Sequence, residues 1–258
     1  MTLIAGRIFT FWTMIGLFLI IGWALQRAKV RTPWIRRIPG LEAVEEAVGR
    51  ATEMGRPVFY SPGGGDVTDA DAIQSMAGIE VLAHVAHLTS KYNTGLICGV
   101  RQANLYAVAD ETVRQVYTEE GKLDAYKPEM VRFLSPEQFA YAAGCIGIMH
   151  REKAGAAILV GFFQAESLML AEAATQGGAI TIGGTTRMYQ LPFFVAACDY
   201  CLIGEEIFTA GAYLSKDPLK LGTVVAQDIG KIIALVAILV GALLASTGSK
   251  WLPQLLSK

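Results

Sequence analysis

Apolar residues are concentrated in two long stretches, one near each end of the chain. Residues 8–25 read IFTFWTMIGLFLIIGWAL and carry no charge, and residues 232–245 read IIALVAILVGALLA. Flanking residues extend the second stretch to 229–248, with Lys231 near one end. Crossing a bilayer core takes about 20 predominantly apolar residues in helical form. The pattern therefore predicts one transmembrane helix at each end of the chain.

A cleaved signal peptide and a buried core helix are the competing interpretations of these stretches. A signal peptide carries its positive charges before the apolar run and a small-residue cleavage site after it. Here most of the N-terminal bases follow the run, and Ala24-Leu25-Gln26 leads directly into RAKVR. The C-terminal stretch lacks the polar stripe of an amphipathic core helix. We therefore expect both helices to be retained membrane anchors.

Between the anchors, short apolar runs alternate with longer stretches of helical periodicity. The expected strands are 56–61, 94–100, 156–163, 179–184 and 195–204. The expected helices are 41–55, 71–92, 102–122, 135–153, 166–178 and 205–215. Near-continuous apolar strands separated by helices are typical of a parallel sheet covered on both faces. We predict an α/β domain with a mostly parallel, doubly wound sheet of about five strands.

Charge divides the chain into three parts. Residues 1–37 hold six bases and no acid, and we assign them to an N-terminal transmembrane anchor with a basic flank. Residues 38–227 hold 22 acids and 13 bases, a net charge of −9, and form the predicted α/β domain. Residues 228–258 are assigned to the C-terminal transmembrane helix and a short tail. An acidic central domain argues against binding to the phosphate backbone of nucleic acid.

The distribution of bases also predicts an orientation in the membrane. Arginine and lysine accumulate on the cytoplasmic side of transmembrane helices. The basic cluster at 27–37 follows the first helix, so it is expected to stay in the cytoplasm. This gives a two-pass protein of a cell membrane, with the central domain cytoplasmic and both termini external.

Glycine and polar residues follow several of the predicted strands. In sheets of this kind, ligands bind outside the carboxyl ends of the strands, and glycine permits close backbone approach. The candidate ligand-binding residues are Gly63, Gly64, Gly65, Asp66, Gln164, Glu166, Gly183, Gly184, Thr185, Thr186, Glu205 and Glu206. The alternative is that these glycines only form turns and that the polar residues only begin helices. Both interpretations stay open.

No motif in the chain identifies a cofactor, a metal or a reaction. The triple glycine has neither the phosphate-loop nor the dinucleotide spacing, and the acids Asp66, Asp69 and Asp71 would repel phosphate unless a cation intervened. His84 and His87 do not complete a zinc site. Cys198 and Cys201, expected on a strand, would face opposite sides of it. The cofactor is thus unknown, and the absence of a nucleophile beside a base favours a protein without catalytic activity.

Small residues recur at spacings of three and four along the C-terminal apolar stretch. They are Gly230, Ala234, Ala237, Gly241 and Ala245. Such faces let transmembrane helices approach closely, although glycine and alanine also face lipid without any partner. We therefore expect a membrane-anchored scaffold or assembly subunit that forms a homo-oligomer or binds another membrane protein. The alternative is a domain that binds or hydrolyses a small ligand or nucleotide at the glycine-rich strand ends.

Three segments carry a resemblance to a known family. They are GRPVFYSPGGGD at 55–66, CDYCLIGEEIFTAGAYLSKDP at 198–218 and LGTVVAQDIGK at 221–231. Together with the terminal apolar helix, they resemble an uncharacterised prokaryotic family of membrane-anchored proteins, a domain of unknown function. The resemblance covers most of the chain and implies a bacterial or archaeal inner membrane. It implies no catalytic residues.

Overall fold

The structure, a computed structural model, describes residues 8–31, 33, 36–215 and 217–247. The chain divides into two units. The helical unit consists of 1–35 and 216–258, and the α/β unit consists of 36–215. The C-terminal helical segment therefore leaves the α/β unit after residue 215 rather than after residue 227. The reason is that the apolar helix includes the residues before Asp228, which the charge pattern had assigned to the domain.

The described residues form helices and parallel strands in alternation. The helices are α1 Ile8–Val30, α2 Pro39–Glu53, α3 Ala72–Tyr92, α4 Ala103–Glu119, α5 Gln138–Arg151, α6 Glu166–Gln176, α7 Leu191–Ala197, α8 Glu206–Ser215 and α9 Pro218–Ser246. The strands are β1 Val58–Gly63, β2 Leu96–Val100, β3 Val131–Phe133, β4 Ala156–Phe162, β5 Ile180–Thr185 and β6 Tyr200–Ile203.

Helices α1 and α9 make up the described part of the helical unit. Their segments Phe11–Val30 and Pro218–Leu244 are long and apolar enough to cross a membrane. Only 11% and 6% of the most apolar parts of these segments are buried. A soluble core helix would be mostly buried, so the low burial of α9 disfavours that interpretation. The expectation of an apolar helix at each end is confirmed.

The two helices pack together through small residues. A Cβ added at Gly222 of α9 would lie 2.9 Å from the Cβ of Ala28 and 3.2 Å from the Cα of Leu25 in α1. Ala24 and Ala28 are buried at this contact. Small side chains allow such close approach between membrane helices. The contact lies at the N-terminal end of α9, outside the small-residue face that begins at Gly230.

The α/β unit is built on a six-stranded parallel sheet within the described residues. Its strand order is β3-β2-β1-β4-β5-β6. Alternate strand residues point to opposite faces, and each face carries its own buried core. Tyr60 and Ile158 belong to the core shared with α2, α3, α4 and α8. Phe59 and Leu159 belong to the core shared with α5, α6 and α7. The prediction of a doubly wound α/β domain is confirmed.

The sheet differs from the prediction at two places. Strand β3 was not expected, because its three residues include the charged Arg132 and the exposed Phe133 and so form no apolar run. The segment 195–204 was expected to be one strand, but α7 ends at Ala197 and β6 begins at Tyr200. A short apolar run does not distinguish strand from helix by periodicity alone. The sheet therefore has six described strands rather than five.

Candidate functional site

The strand order places a topological switch point at the centre of the sheet. Strands β1 and β4 are neighbours, but the helices that follow them, α3 and α6, cover opposite faces. The order 3-2-1-4-5-6 is the doubly wound arrangement in which ligands bind where the connections diverge, outside the carboxyl ends of the strands. We call this place the switch-point crevice. It lies between the loop at 63–71, which begins with the last residue of β1, and the loop at 163–165.

Glycines bring the two sides of the crevice into direct contact. Gly63 has a φ of +82°, and its α-carbon faces the carbonyl oxygen of Phe162 so closely that no side chain fits. The N–H of Gly64 donates to the same oxygen at 2.7 Å. Gly65 lies against Ser75 and Phe162. Close packing of the chain on itself therefore requires glycine at position 63, and a role of Gly63, Gly64 and Gly65 in ligand binding stays a prediction.

The acids of the loop after β1 are held by neighbouring side chains. The carboxylate of Asp66 accepts hydrogen bonds from Asn104 Nδ2 at 2.9 Å, Thr68 Oγ1 at 3.0 Å and Val67 N at 2.7 Å. Burial opposes ionisation of Asp66, but these hydrogen bonds outweigh it and lower its pKa. Among the described residues, no group of three or more His, Cys, Asp or Glu side chains is placed to hold a metal ion.

An ion pair joins two loops at this edge of the sheet. Asp71, just before α3, pairs with the guanidinium of Arg187, which follows β5. That guanidinium also lies 5.0 Å from the ring centre of Phe162, at the end of β4. Arg187 thus links the loops after β1, β4 and β5. It supplies a positive charge beside the acids of the first loop.

Buried polar atoms without a partner gather at this edge of the sheet. Four buried side-chain atoms of the described residues make no hydrogen bond, and three of them lie here. They are Gln74 Oε1 in the first turn of α3, Glu166 Oε1 at the start of α6 and Arg187 Nε. Leaving such an atom unpaired costs about 1–3 kcal/mol, and more when the group is charged. Each of these atoms therefore favours an additional hydrogen-bonding partner.

Glu166 is the most informative of the three residues. Its side chain is completely buried, and its Oε2 accepts a hydrogen bond from Gln138 Nε2 at 2.5 Å, whereas Oε1 has no partner in the described structure. A buried carboxylate is normally fully hydrogen-bonded or paired with a cation. Glu166 and Gln74 offer acceptors, and Arg187 offers a donor. The arrangement suits a molecule that presents several N–H or O–H groups and at least one acceptor.

The reactive side chains below the crevice are protonated at neutral pH. Tyr141 is hydrogen-bonded to Ser61, and burial raises the pKa of the Tyr141 hydroxyl well above its ordinary value. Burial also raises the pKa of Cys145 to about 12. A thiol is nucleophilic only as a thiolate. These groups therefore act as hydrogen-bonding and packing side chains at neutral pH.

One family covers nearly the whole chain. The family described as domain of unknown function (DUF6754) matches residues 2–256. The chain belongs to this family. Its expected membership of an uncharacterised family is confirmed, while the prokaryotic origin implied by the resemblance stays a prediction. No match was found among the curated proteins or among the solved structures. Since the family brings no activity with it, function must be inferred from the site itself.

The candidate ligand-binding residues predicted from the sequence do not all lie at one site in the structure. Gly183 and Gly184 lie inside β5 and are buried, with added Cβ atoms 2.6 Å from Phe194 Cδ1 and 3.0 Å from Leu202 Cβ respectively. They therefore pack the sheet rather than form a loop beyond it. Thr185 ends β5, and its hydroxyl accepts a hydrogen bond from the N–H of Arg187 at 3.3 Å. The half-buried Thr186 follows it.

The remaining predicted residues divide between the crevice and the sheet edge. Gln164 lies in the loop after β4, where its carbonyl accepts a hydrogen bond from Ser167 N at 3.0 Å. Glu205 and Glu206 follow β6, the last strand of the sheet, and Glu206 pairs with Arg36 at 2.5 Å. They therefore lie away from the switch point.

Three residues of the crevice were not predicted from the sequence. Gln74 and Gln138 lie in helices whose first turns reach the carboxyl edge, and Arg187 follows β5. Gln138 forms a hydrogen bond with Glu166, which is 28 residues away in sequence. Arg187 forms one with Asp71, which is 116 residues away in sequence. Only the position of Arg187 directly after a predicted strand could have drawn attention to it.

The histidine and cysteine pairs lie apart from this site. The rings of His84 and His87 are 6.4 Å apart, and His87 Nδ1 contacts Glu120 Oε1 at 2.7 Å. Burial and the neighbouring His87 lower the pKa of His84 to about 4, so His84 is neutral at pH 7. Cys198 follows α7, Cys201 lies on β6, and both thiols are free.

Proposed function

We propose that the α/β unit binds a small polar ligand in the switch-point crevice. The observation that carries this proposal is the set of buried, unpaired atoms on Gln74, Glu166 and Arg187. Placed where sheets of this strand order receive ligands, they support the ligand-binding alternative over a scaffold without a ligand. Groups that lack partners in the free protein become donors and acceptors for a bound molecule, which is how polar groups in pockets fix orientation.

The charges around the crevice restrict the ligand. Glu166 is buried and acidic, and Asp66 and Asp71 lie in the loop after β1. A triphosphate would meet repulsion from all three acids, with only two bases of the described structure to compensate: Arg187, and Arg101, whose side chain lies against Gly64. A neutral or cationic molecule with several hydroxyl or amino groups avoids that repulsion and satisfies both acceptors. Nucleosides, sugars and amino sugars belong to this class.

Thermal unfolding of the full chain in mild detergent tests the proposal. We expect a nucleoside, sugar or amino sugar to raise the unfolding midpoint, whereas the corresponding di- and triphosphates raise it less. A ligand at 100 times its Kd adds about 2.7 kcal/mol, which corresponds to roughly 5–10 °C for a domain of this size. If no compound of this class shifts the midpoint, or if triphosphates shift it most, the proposed ligand chemistry is wrong.

We further propose that α1 and α9 anchor the α/β unit on the cytoplasmic side of a cell membrane. Their length and apolar composition support the anchoring, and the basic residues after α1 support the orientation. A reporter active only in the cytoplasm should work when inserted at Gly121, an exposed turn after α4. A reporter fused after Lys258, which lies outside the described residues, should behave as external. Cytoplasmic activity of this second fusion would contradict a spanning α9.

Self-association through α9 is a second candidate function. Ala234 and Ala237 are exposed, and nothing in the described structure lies within 4 Å of a Cβ added at Gly230. Gly241 is half-buried, and the side chain of Ala245 is outside the described part of the chain. The Gly222 contact shows that this helix already uses small residues for close packing. This face is therefore suited to a second copy of the chain.

Leucine substitutions test the self-association. Replacing Ala237 and Gly241 together should reduce the oligomer to a smaller species in native mass measurements, because larger side chains block close helix approach. Replacing the apolar Val236 and Val240 of α9 with leucine provides a control that should leave the mass unchanged. A wild-type protein that is monomeric in lipid nanodiscs would contradict the assembly proposal.

A further inference from the structure

A cavity lies at the amino edge of the sheet, opposite the carboxyl edge that carries the switch point. It has a volume of about 340 Å³ and lies beside the amino ends of β2 and β3. Its lining residues include Ser90, Asn93, Leu96, Lys127, Met130 and Arg132. Small-molecule sites usually occupy about 300–1,000 Å³, so the cavity is of sufficient size for a small ligand.

Strand β2 extends beyond β3 at this cavity and leaves backbone groups without a strand partner. The N–H of Leu134 donates to the carbonyl of Val100 across the β2–β3 boundary. Because alternate residues of a strand direct their N–H and C=O groups to the same side, Leu96 also directs its groups toward β3. The pairing between β2 and β3 begins at Cys98 and Val131. The N–H and C=O of Leu96 therefore face the cavity.

A buried hydroxyl supports a ligand at the same place. Ser90 is 2% exposed, and its Oγ is the fourth buried side-chain atom of the described residues without a hydrogen-bond partner. The carbonyl of Ser90 is already occupied, since Lys122 Nζ donates to it at 2.5 Å and also to Asn93 Oδ1 at 2.9 Å. Lys122 therefore offsets the negative end of α3, which would otherwise disfavour an anion.

The charged side chains around the cavity leave a positive excess. Lys127 is exposed at the rim and has no ion-pair partner among the described residues. Arg132 donates from Nε to the carbonyl of Glu129 at 2.9 Å and lies 3.5 Å from the carboxylate of Glu152. The three cations Lys122, Lys127 and Arg132 thus outnumber the two acids Glu129 and Glu152. Lys127 is the cation free to meet a ligand.

We propose that this amino-edge cavity binds a small aliphatic carboxylate. The hydroxyl of Ser90 and the N–H of Leu96 donate to the carboxylate, and Lys127 supplies the opposite charge. The apolar part of the ligand packs against Met130 and Ala125, which also line the cavity. The site is independent of the switch-point crevice, because it shares none of that site's residues.

Isothermal titration of the full chain in mild detergent tests this site with two matched probes. The probes are 4-methylpentanoate and its uncharged amide, 4-methylpentanamide. We expect the carboxylate to bind at least about tenfold more tightly than the amide, because only the carboxylate pairs with Lys127. Equal affinity of the two probes, or no binding of either, would overturn the proposal.

Three variants assign the binding to the cavity. Lys127→Met should remove the preference for the carboxylate, and Ser90→Ala should weaken its binding without lowering the unfolding midpoint. Lys91→Met is the matched control. Lys91 is exposed at the end of α3, the helix that carries Ser90, but it does not line the cavity. An equal loss of binding in the Lys91 variant would show that the effect comes from the net charge of the protein, and would contradict the assignment to the cavity. Arg187→Met, at the crevice, should leave binding of the carboxylate unchanged.

Discussion

Replacing Gly63 with alanine is expected to lower the free energy of unfolding of the α/β unit by about 3 kcal/mol. The positive φ of Gly63 costs an L-residue about 1–2 kcal/mol. The added Cβ would also overlap the carbonyl oxygen of Phe162, so the two loops must separate. That movement weakens the hydrogen bond from Gly64 N to Phe162 O, a loss of about 1 kcal/mol. Thermal or urea unfolding of the purified chain measures the change.

Two other glycines separate the causes of this effect. Gly121 has a φ of +67° but nothing in the described structure within 4 Å of an added Cβ, so Gly121→Ala should cost about 1 kcal/mol from the backbone alone. At Gly64 the added Cβ meets the flexible side chain of Arg101 at 2.6 Å, which can move. Gly64→Ala should therefore be milder than Gly63→Ala. Equal losses in all three variants would mean that the contact between β1 and β4 is not the cause.

Replacing Glu166 with glutamine is expected to reduce ligand stabilisation while making the free protein more stable. The glutamine still accepts a hydrogen bond from Gln138, but it replaces a completely buried carboxyl group whose Oε1 has no partner in the described structure. We expect a gain of about 1 kcal/mol in the unfolding free energy without ligand. The ligand loses a charge-assisted hydrogen bond of about 1.5–3 kcal/mol, which weakens binding roughly 10- to 100-fold.

The opposite signs of these two effects identify a binding residue. If the Glu166 carboxylate only stabilised the fold, replacing it would lower the stability of the protein. Ligand binding would then be unchanged or would fall together with the stability. Glu172→Gln, on the exposed side of the same helix α6, is the matched control and should change neither quantity. A Glu166→Gln protein that is less stable and still binds the ligand would show that the side chain serves the fold alone.

The sheet could be predicted from sequence wherever burial is complete. Strand β4 reads AAILVGF and is buried at every residue, so its apolar run identifies it without any tertiary information. Strand β3 and helix α7 were not predicted, because β3 is a three-residue edge strand and α7 is a seven-residue helix beside an apolar strand. In both places the local pattern is too short to decide between conformations. Their identity depends on the neighbours that the fold supplies.

The site could be predicted only in outline. The glycine-rich loop after β1 and Glu166 at the start of α6 follow from the rule that strand ends carry ligands. The partners of those residues cannot be predicted from this rule, because Gln138 and Arg187 reach the crevice through long-range packing. The strand order determines which of the predicted residues lie at the switch point. It places β1 beside β4, and it places Glu205 at the far edge of the sheet. Nothing in the local sequence specifies that order.

A crystal structure of the full chain, purified from cells and grown from lipid, tests the central claim most directly. The ligand-binding proposal predicts density for one non-protein molecule within hydrogen-bonding distance of Glu166 Oε1, Gln74 Oε1 and Arg187 Nε. The contrary result would be a crevice in which these three atoms are satisfied by other groups of the protein or by separate water molecules. In that case the switch-point crevice would be a packing feature of the sheet and not a binding site.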